Sequence, residues 1–142
     1  MPIMQKGIAA FSDHLPKVIS PKAHAIADYA TLGGFVLMAA LFWKRNRRAA
    51  IASIACAAAE ATNTMLTDFP GGVAKVIDFP THGRIDLGLA ATASALPGLL
   101  GFSGEPESRF FTIMGINITA VGAMTDFDAA PNQVRSDLRR SA

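Results

Sequence analysis

Four stretches of the chain are almost free of charge, and this pattern limits what the protein can fold into. The stretches are Ala23–Trp43, Ala49–Thr67, Ile85–Phe102 and Phe110–Phe127. Each is close to the length of about 20 apolar residues that a helix needs to cross the hydrocarbon core of a bilayer. Charged residues make up 17% of the chain, against about 25% in ordinary soluble domains, and they crowd between the stretches. The sequence therefore predicts an all-α fold, a four-helix transmembrane bundle, in a multi-pass protein embedded in the lipid bilayer.

A histidine followed four residues later by an aspartate occurs twice, each time near the start of an apolar stretch. The pairs are His24 with Asp28 and, 58 residues further on, His82 with Asp86. At the same interval Thr67-Asp68-Phe69 matches Thr125-Asp126-Phe127. Polar residues that recur at a fixed period are typical of a duplicated structural unit. We therefore expect two parallel two-helix repeats, residues 20–72 and 73–127, related by an axis along the membrane normal.

The two ends of the chain are predicted to lie outside this bundle. Residues 1–19 carry apolar residues at helical spacing, which favours a short amphipathic helix in the membrane interface. Ser20-Pro21 predicts the N-terminus of the first long helix, and Thr81 is the expected cap of the third. Residues 128–142 form a polar tail. All 142 residues then belong to a single integral membrane domain.

Composition and motifs narrow the functional classes. The net charge of +2 is too small to indicate nucleic-acid binding, and no basic patch is interleaved with aromatic residues. The single cysteine, Cys56, cannot form an internal disulfide and is predicted to be a small packing residue. No serine or cysteine nucleophile accompanies the histidines, so a hydrolase is the least favoured class, and the sequence leaves the question of an enzyme open while favouring a protein without catalytic activity. A soluble helical bundle is the alternative to a membrane protein, because the four stretches are rich in Ala, Gly and Thr.

The second repeat carries short motifs at both ends of its first helix. The helix begins with His82 and Asp86 and ends with Pro97-Gly98-Leu99-Leu100-Gly101-Phe102. In the first repeat, His24 and Asp28 are the counterparts of His82 and Asp86. This arrangement resembles the SPW-repeat family of small bacterial integral membrane proteins, which is named for a Ser-Pro-Trp motif. Leu96 and Gly98 stand where that family has serine and tryptophan. The resemblance implies the two-repeat membrane architecture, in a bacterial inner membrane, and no particular activity.

Six ionisable residues are predicted to gather toward one membrane face, because the repeats run in parallel. They are His24, Asp28, Asp68, His82, Asp86 and Asp126. Deeper in the bundle, Glu60 shares a helix face with Asn63 and Thr64, and such a polar stripe must face protein or water rather than lipid. We expect Glu60 to bond to Asn117 or to a threonine on the fourth helix.

Three roles are open for this polar cluster. In the role that the sequence favours, the aspartates pair with histidines or with helix N-termini and clip one repeat to the other. In the second, the cluster binds a divalent cation, or passes a cation or proton toward Glu60. In the third, His24 and His82 are axial ligands of haem b, with the aspartates as outer partners. A homo-oligomer or another membrane protein is compatible with each role.

Overall fold

The computed structural model describes residues 14–129, and in this range the chain forms four α-helices and no strands. The helices are α1 (Pro21–Phe42), α2 (Arg47–Leu66), α3 (Phe79–Leu99) and α4 (Ser108–Met124). The prediction of an all-α fold with four helices is confirmed. By length and composition, two of the four, α1 and α2, qualify to cross a membrane. The predicted interfacial helix and polar tail fall largely on residues 1–13 and 130–142, outside the described residues.

The starts of α1 and α3 are set by polar side chains that cap exposed backbone amides. Ser20 Oγ accepts from the Ala23 amide at 3.3 Å, as predicted. The cap of α3 is Asp78, whose Oδ1 accepts from the Thr81 amide at 2.7 Å, so the prediction of Thr81 as the cap is wrong. An aspartate is a stronger N-cap than a threonine, and it starts the helix earlier. His24 and His82 therefore occupy equivalent positions in α1 and α3, each four residues after the N-cap of its helix.

The helices pack as two hairpins, α1 with α2 and α3 with α4, which meet mainly along α2 and α3. The apolar core between them contains four large aromatic side chains and the small residues of α2. Its buried members include Phe35, Phe42, Phe102, Phe111, Ala49, Ala50 and Ala52. Alanine side chains on α2 let neighbouring helix backbones approach closely, a common device where helices pack in a bilayer. This core occupies the half of the bundle away from the His/Asp pairs.

Two matched backbone bridges close the other end of the bundle. Ile19 pairs in parallel with Thr125, and Thr67 pairs in parallel with Ile77. The Asp126 amide donates to the Ile19 carbonyl at 3.2 Å, and the Asp68 amide donates to the Ile77 carbonyl at 2.8 Å. Each of these contacts has its counterpart 58 residues away in the other hairpin. The bridges hold the start of α1 beside the end of α4, and the start of α3 beside the end of α2.

Candidate metal centre

Both His-x-x-x-Asp pairs point into the bundle from the first turns of α1 and α3. Because residues four apart lie on one helix face, each helix presents its histidine and aspartate together. The four residues form one group, called here the tetrad: His24, Asp28, His82 and Asp86. All four are buried, and one ligand atom from each lies within 4.8 Å of the others. The tetrad joins the two hairpins at one end of the bundle, and Asn46 and Arg48 join them at the other end through Glu105.

Short distances across the tetrad centre on the two imidazole Nε2 atoms. These atoms lie 3.1 Å from one another. His24 Nε2 lies 3.1 Å from Asp86 Oδ2 and 3.3 Å from Asp28 Oδ1. His82 Nε2 lies 3.0 Å from Asp86 Oδ2 and 3.2 Å from Asp28 Oδ2. Two nitrogens and two carboxylates therefore surround a single point between α1 and α3.

The outer nitrogen of each imidazole is held by a threonine from the opposite hairpin. His24 Nδ1 lies 2.7 Å from Thr125 Oγ1, and His82 Nδ1 lies 2.8 Å from Thr67 Oγ1. Each threonine hydroxyl donates its one proton to a helix carbonyl, at 2.7 Å for Thr125 and 2.6 Å for Thr67. The hydroxyl oxygen can then only accept from the imidazole, so Nδ1 carries the hydrogen. Both Nε2 atoms are left to bind whatever occupies the centre.

The inner contacts of the tetrad converge on a common centre and do not form two separate histidine–aspartate pairs. Of the five Nε2 contacts, only those from His24 to His82 and to Asp86 have hydrogen-bond geometry. Asp28 Oδ2 is buried and has no hydrogen-bond partner, although His82 Nε2 is 3.2 Å away. Two imidazole nitrogens and two carboxylates that converge on one central point are an arrangement in which a metal ion can bind.

Asn63 on α2 supports the tetrad from the side. Its Nδ2 donates to Asp86 Oδ1 at 2.7 Å and to the His82 carbonyl at 3.3 Å. Two acceptors on that side fix the amide orientation, because the reverse orientation would place Asn63 Oδ1 against them. Asp86 thus has one oxygen held by Asn63 and the other facing both histidines. Such an outer hydrogen bond orients a ligating carboxylate.

Aromatic rings cover the tetrad on the side of the backbone bridges. Phe69 and Phe79 are buried, Phe127 is partly buried, and they form one cluster with Ala25. The His24 ring centroid lies 5.3 Å from those of Phe79 and Phe127, in edge-on contacts. This apolar cover excludes water, which strengthens electrostatic interactions within the tetrad.

A cavity of about 260 Å³ between α3 and α4 adjoins the tetrad at Asp86. Leu87, Ile118 and Phe127 contribute apolar lining, and Lys17 and Arg84 contribute positive charge. This cavity is partly open, whereas the tetrad itself is closed by the rings above it. An ion or small molecule would reach Asp86 along this side of the bundle.

The structure brings together four of the eight residues that the sequence singled out, and places the others elsewhere. Asp68 receives Lys75 Nζ at 3.1 Å and is half-exposed. Asp126 accepts from the backbone amides of Asp128 and Ala129. Asn117 is exposed on α4 and does not meet Glu60, which is buried as expected on α2. In the repeated Thr-Asp-Phe motif, the threonine and the phenylalanine face the tetrad, and the aspartate does not.

Haem does not fit between these histidines. Axial ligands on opposite sides of a haem iron are separated by about twice the usual metal–nitrogen distance of about 2.0–2.1 Å, with the porphyrin between them. The two Nε2 atoms are only 3.1 Å apart, and Asp28 and Asp86 occupy the space beside them. The arrangement suits a single small ion.

Comparisons of the chain with protein-family models, with curated proteins and with solved structures find no match.

Proposed function

We propose that the protein is a multi-pass membrane protein in which all four helices cross the bilayer. Large apolar side chains are exposed on the outer faces of all four helices, including Ile26, Leu37, Ile54, Leu87 and Ile116. From Tyr29 to Phe42 and from Phe110 to Met124 the sequence has no charged residue. The buried interior contains, besides the apolar core, the polar side chains His24, His82, Asp28, Asp86, Glu60 and several threonines. Apolar residues outside and polar residues inside suit a lipid surrounding better than water.

We further propose that the tetrad binds one divalent transition-metal ion that joins the two hairpins. The observation that carries this proposal is the convergence of two Nε2 atoms and two carboxylates on one point, while each Nδ1 is held by a threonine hydroxyl. A tetrahedral ion with ligands at about 2.0–2.1 Å holds those ligands roughly 3.3 Å from one another. The Nε2 contacts of 3.0–3.3 Å match that spacing. Two carboxylates also balance the charge of a divalent ion, which a buried site needs.

Zn²⁺ is the ion that this ligand set suits best. Imidazole nitrogens with carboxylate oxygens in a four-coordinate arrangement are common for Zn²⁺, and soft thiolate ligands are lacking in the tetrad. With all four positions filled by side chains, the ion is structural and leaves no open position for a substrate. The site then joins the two hairpins through a metal ion at its centre.

A proton-held clip is the second candidate, and the contact of His24 Nε2 with Asp86 Oδ2 favours it. This contact has hydrogen-bond geometry at 3.1 Å. If an imidazole carried a second proton on Nε2, it would donate that proton to the carboxylate. Both candidates use the same residues to join the hairpins, and they differ in what lies between the ligand atoms.

We also propose that the two hairpins arose by duplication, as in the SPW-repeat family that the sequence resembles. The matched bridges, caps and histidine–threonine contacts at the 58-residue interval support this proposal. Glu60 and Asn63 belong to the first hairpin alone, since Ile118 and Val121 stand at the corresponding places.

Metal analysis combined with thermal unfolding tests the metal proposal. We expect detergent-purified protein to contain one Zn²⁺ per chain, and a strong chelator to lower its melting temperature. Asp86→Asn should lose the ion and the chelator effect. Asp68→Asn is the matched control, because Asp68 is outside the tetrad, and it should behave as the wild type. If the wild type holds no metal and no divalent ion raises its melting temperature, the proton-held clip is correct instead.

A further inference from the structure

Buried polar atoms without a partner follow one line through the bundle. Within residues 14–129, the buried side-chain oxygens that lack a hydrogen-bond partner are Asp28 Oδ2, Ser53 Oγ, Glu60 Oε2, Asn63 Oδ1 and Thr64 Oγ1. Four of the five belong to α2, and the fifth belongs to the tetrad. Orphaned polar groups inside a protein are costly and are commonly satisfied by internal water. Internal water along α2 would satisfy these oxygens.

These α2 residues share a single face of the helix. At 3.6 residues per turn, Ser53, Glu60 and Thr64 fall within a narrow sector, and Asn63 borders it. Cys56, which is buried, borders the sector on the same side as Asn63. From Ser53 to Thr67 the stripe extends roughly 20 Å at about 1.5 Å per residue. That length is most of the thickness of a bilayer core.

Glu60 is the ionisable residue in the middle of this stripe. It is 2% exposed, and the side chains whose charges act on it are Asp86, Asp28 and His82. Two of these three are carboxylates, so an ionised Glu60 would repel them and would be buried without a partner. Burying an unpaired charge is far more costly than burying the neutral acid. Burial without a partner therefore favours the neutral, protonated form of Glu60 in this arrangement.

We propose that the α2 stripe is a proton path, with internal water between its side chains and with Glu60 as the group that takes up and releases the proton. In each transfer, water on the tetrad side of Glu60 gives a proton to its carboxylate, and the acid then gives its proton to water on the side of Ser53. Hydroxyl groups and water both donate and accept, so the hydrogen-bonded chain can reset after each transfer. No electron transfer and no other reactant is involved.

Polar residues lie at both ends of this path. At one end Thr67 contacts His82, so the stripe runs into the tetrad. At the other end Asn46 Nδ2 donates to Glu105 Oε2 at 2.6 Å, and Arg48 contacts the same carboxylate. Ser53 lies two turns inside that charged end. The proposal goes beyond the metal centre and does not require a metal, because the unpartnered side chains of the stripe belong to α2 and not to the tetrad.

Proton flux into vesicles tests the path. The full chain is reconstituted into liposomes that contain a pH-sensitive dye, and a potassium gradient with valinomycin drives protons inward. We expect acidification by the wild type to exceed that by Glu60→Gln at least about tenfold, because the amide cannot exchange a proton. Thr64→Val, which removes one hydroxyl and keeps the side-chain shape, should lower the rate by a smaller factor. Asp68→Asn is the control for loss of a carboxylate and should keep most of the wild-type rate, because Asp68 pairs with Lys75 and lies outside the stripe and the tetrad.

Infrared spectroscopy of the wild type gives a test that does not depend on the folding of a variant. We expect a carbonyl stretch from a protonated carboxyl group that shifts in heavy water, and that disappears in Glu60→Gln but not in Asp68→Asn. The proposal is overturned if the wild type lacks that band, if it leaks no more than empty liposomes, or if Glu60→Gln leaks as fast. Metal content measured on the same samples separates the two proposals, since Glu60→Gln should keep its ion.

Discussion

Replacing Thr67 by valine tests whether the threonine hydroxyls hold the imidazoles ready for a metal ion. Valine has nearly the shape of threonine but lacks the hydroxyl, so packing is kept while two hydrogen bonds are lost. The bonds are those to the Asn63 carbonyl and from His82 Nδ1. His82 is 0% exposed, so its Nδ1–H is left without an acceptor and without access to water. The imidazole is then free to rotate or to move its proton to Nε2, which would block metal binding.

Two independent estimates of the magnitude agree. A buried donor left without a partner costs about 1–3 kcal/mol. Loss of an outer partner of a metal-ligating histidine typically lowers metal affinity about 10–100-fold, which is about 1.4–2.8 kcal/mol at 1.4 kcal/mol per decade. We therefore expect Thr67→Val to weaken Zn²⁺ binding about 10–100-fold. Thr125→Val removes the equivalent contact with His24 and should weaken binding by a similar factor.

Competition with a chromophoric chelator in detergent solution measures this change. The control is Thr62→Val, because Thr62 lies on the same helix and its hydroxyl donates to the Ala58 carbonyl at 2.7 Å. The Thr62 side chain is exposed and lies away from the tetrad, so loss of its hydroxyl should leave Zn²⁺ affinity unchanged. Equal affinities for Thr67→Val and Thr62→Val would refute the argument that the hydroxyl sets the protonation of His82. A loss in Thr67→Val without one in Thr125→Val would refute the equivalence of the two hairpins.

Three further predictions concern the fold. Gly115→Ala should lower the free energy of unfolding by about 1–3 kcal/mol in denaturation experiments, because the new methyl group would collide with Ser94, whereas Gly88→Ala, with open space around it, should not destabilise α3. The Thr81 amide holds the pKa of Asp78 below its usual range, because it donates a hydrogen bond to the ionised carboxylate. This bond stabilises the folded protein fully above the ordinary carboxyl pKa, and the stabilisation is lost as the pH falls through the lowered pKa. Asp78→Asn should therefore remove this acid-side dependence from the melting temperature. Tags on the two chain ends should be accessible from the same side of the membrane in intact and permeabilised cells, and opposite accessibility would contradict four crossings.

Local sequence patterns were sufficient for the helices and for half of the site. Apolar stretches and the Ser20 cap predicted where α1 starts, because capping depends on residues within one turn. The i, i+4 spacing of His24 with Asp28 placed both on one helix face without knowledge of the partner helix. The same reasoning put Glu60 inside the bundle, because its polar neighbours share its face. These features follow from the geometry of a single helix.

The partners of the two histidines were decided by the tertiary structure. The sequence marked the Thr-Asp-Phe repeat, and the aspartate was the natural partner for an imidazole on charge alone. The α2 helix ends at Leu66, and Thr67 is extended, with φ −83° and ψ 141°. Successive side chains of an extended segment point in opposite directions, so Thr67 faces His82 while Asp68 faces Lys75.

The centre itself depends on contacts between residues that are far apart in the chain. His24 and His82 meet across 58 residues, and His24 meets Thr125 across 101. The distance between them depends on the register of α1 against α3, which the two backbone bridges and the packed core set together. Helical periodicity in the sequence determines which face of each helix is polar. Only the packing of the four helices determines that two such faces meet with both Nε2 atoms directed at one point.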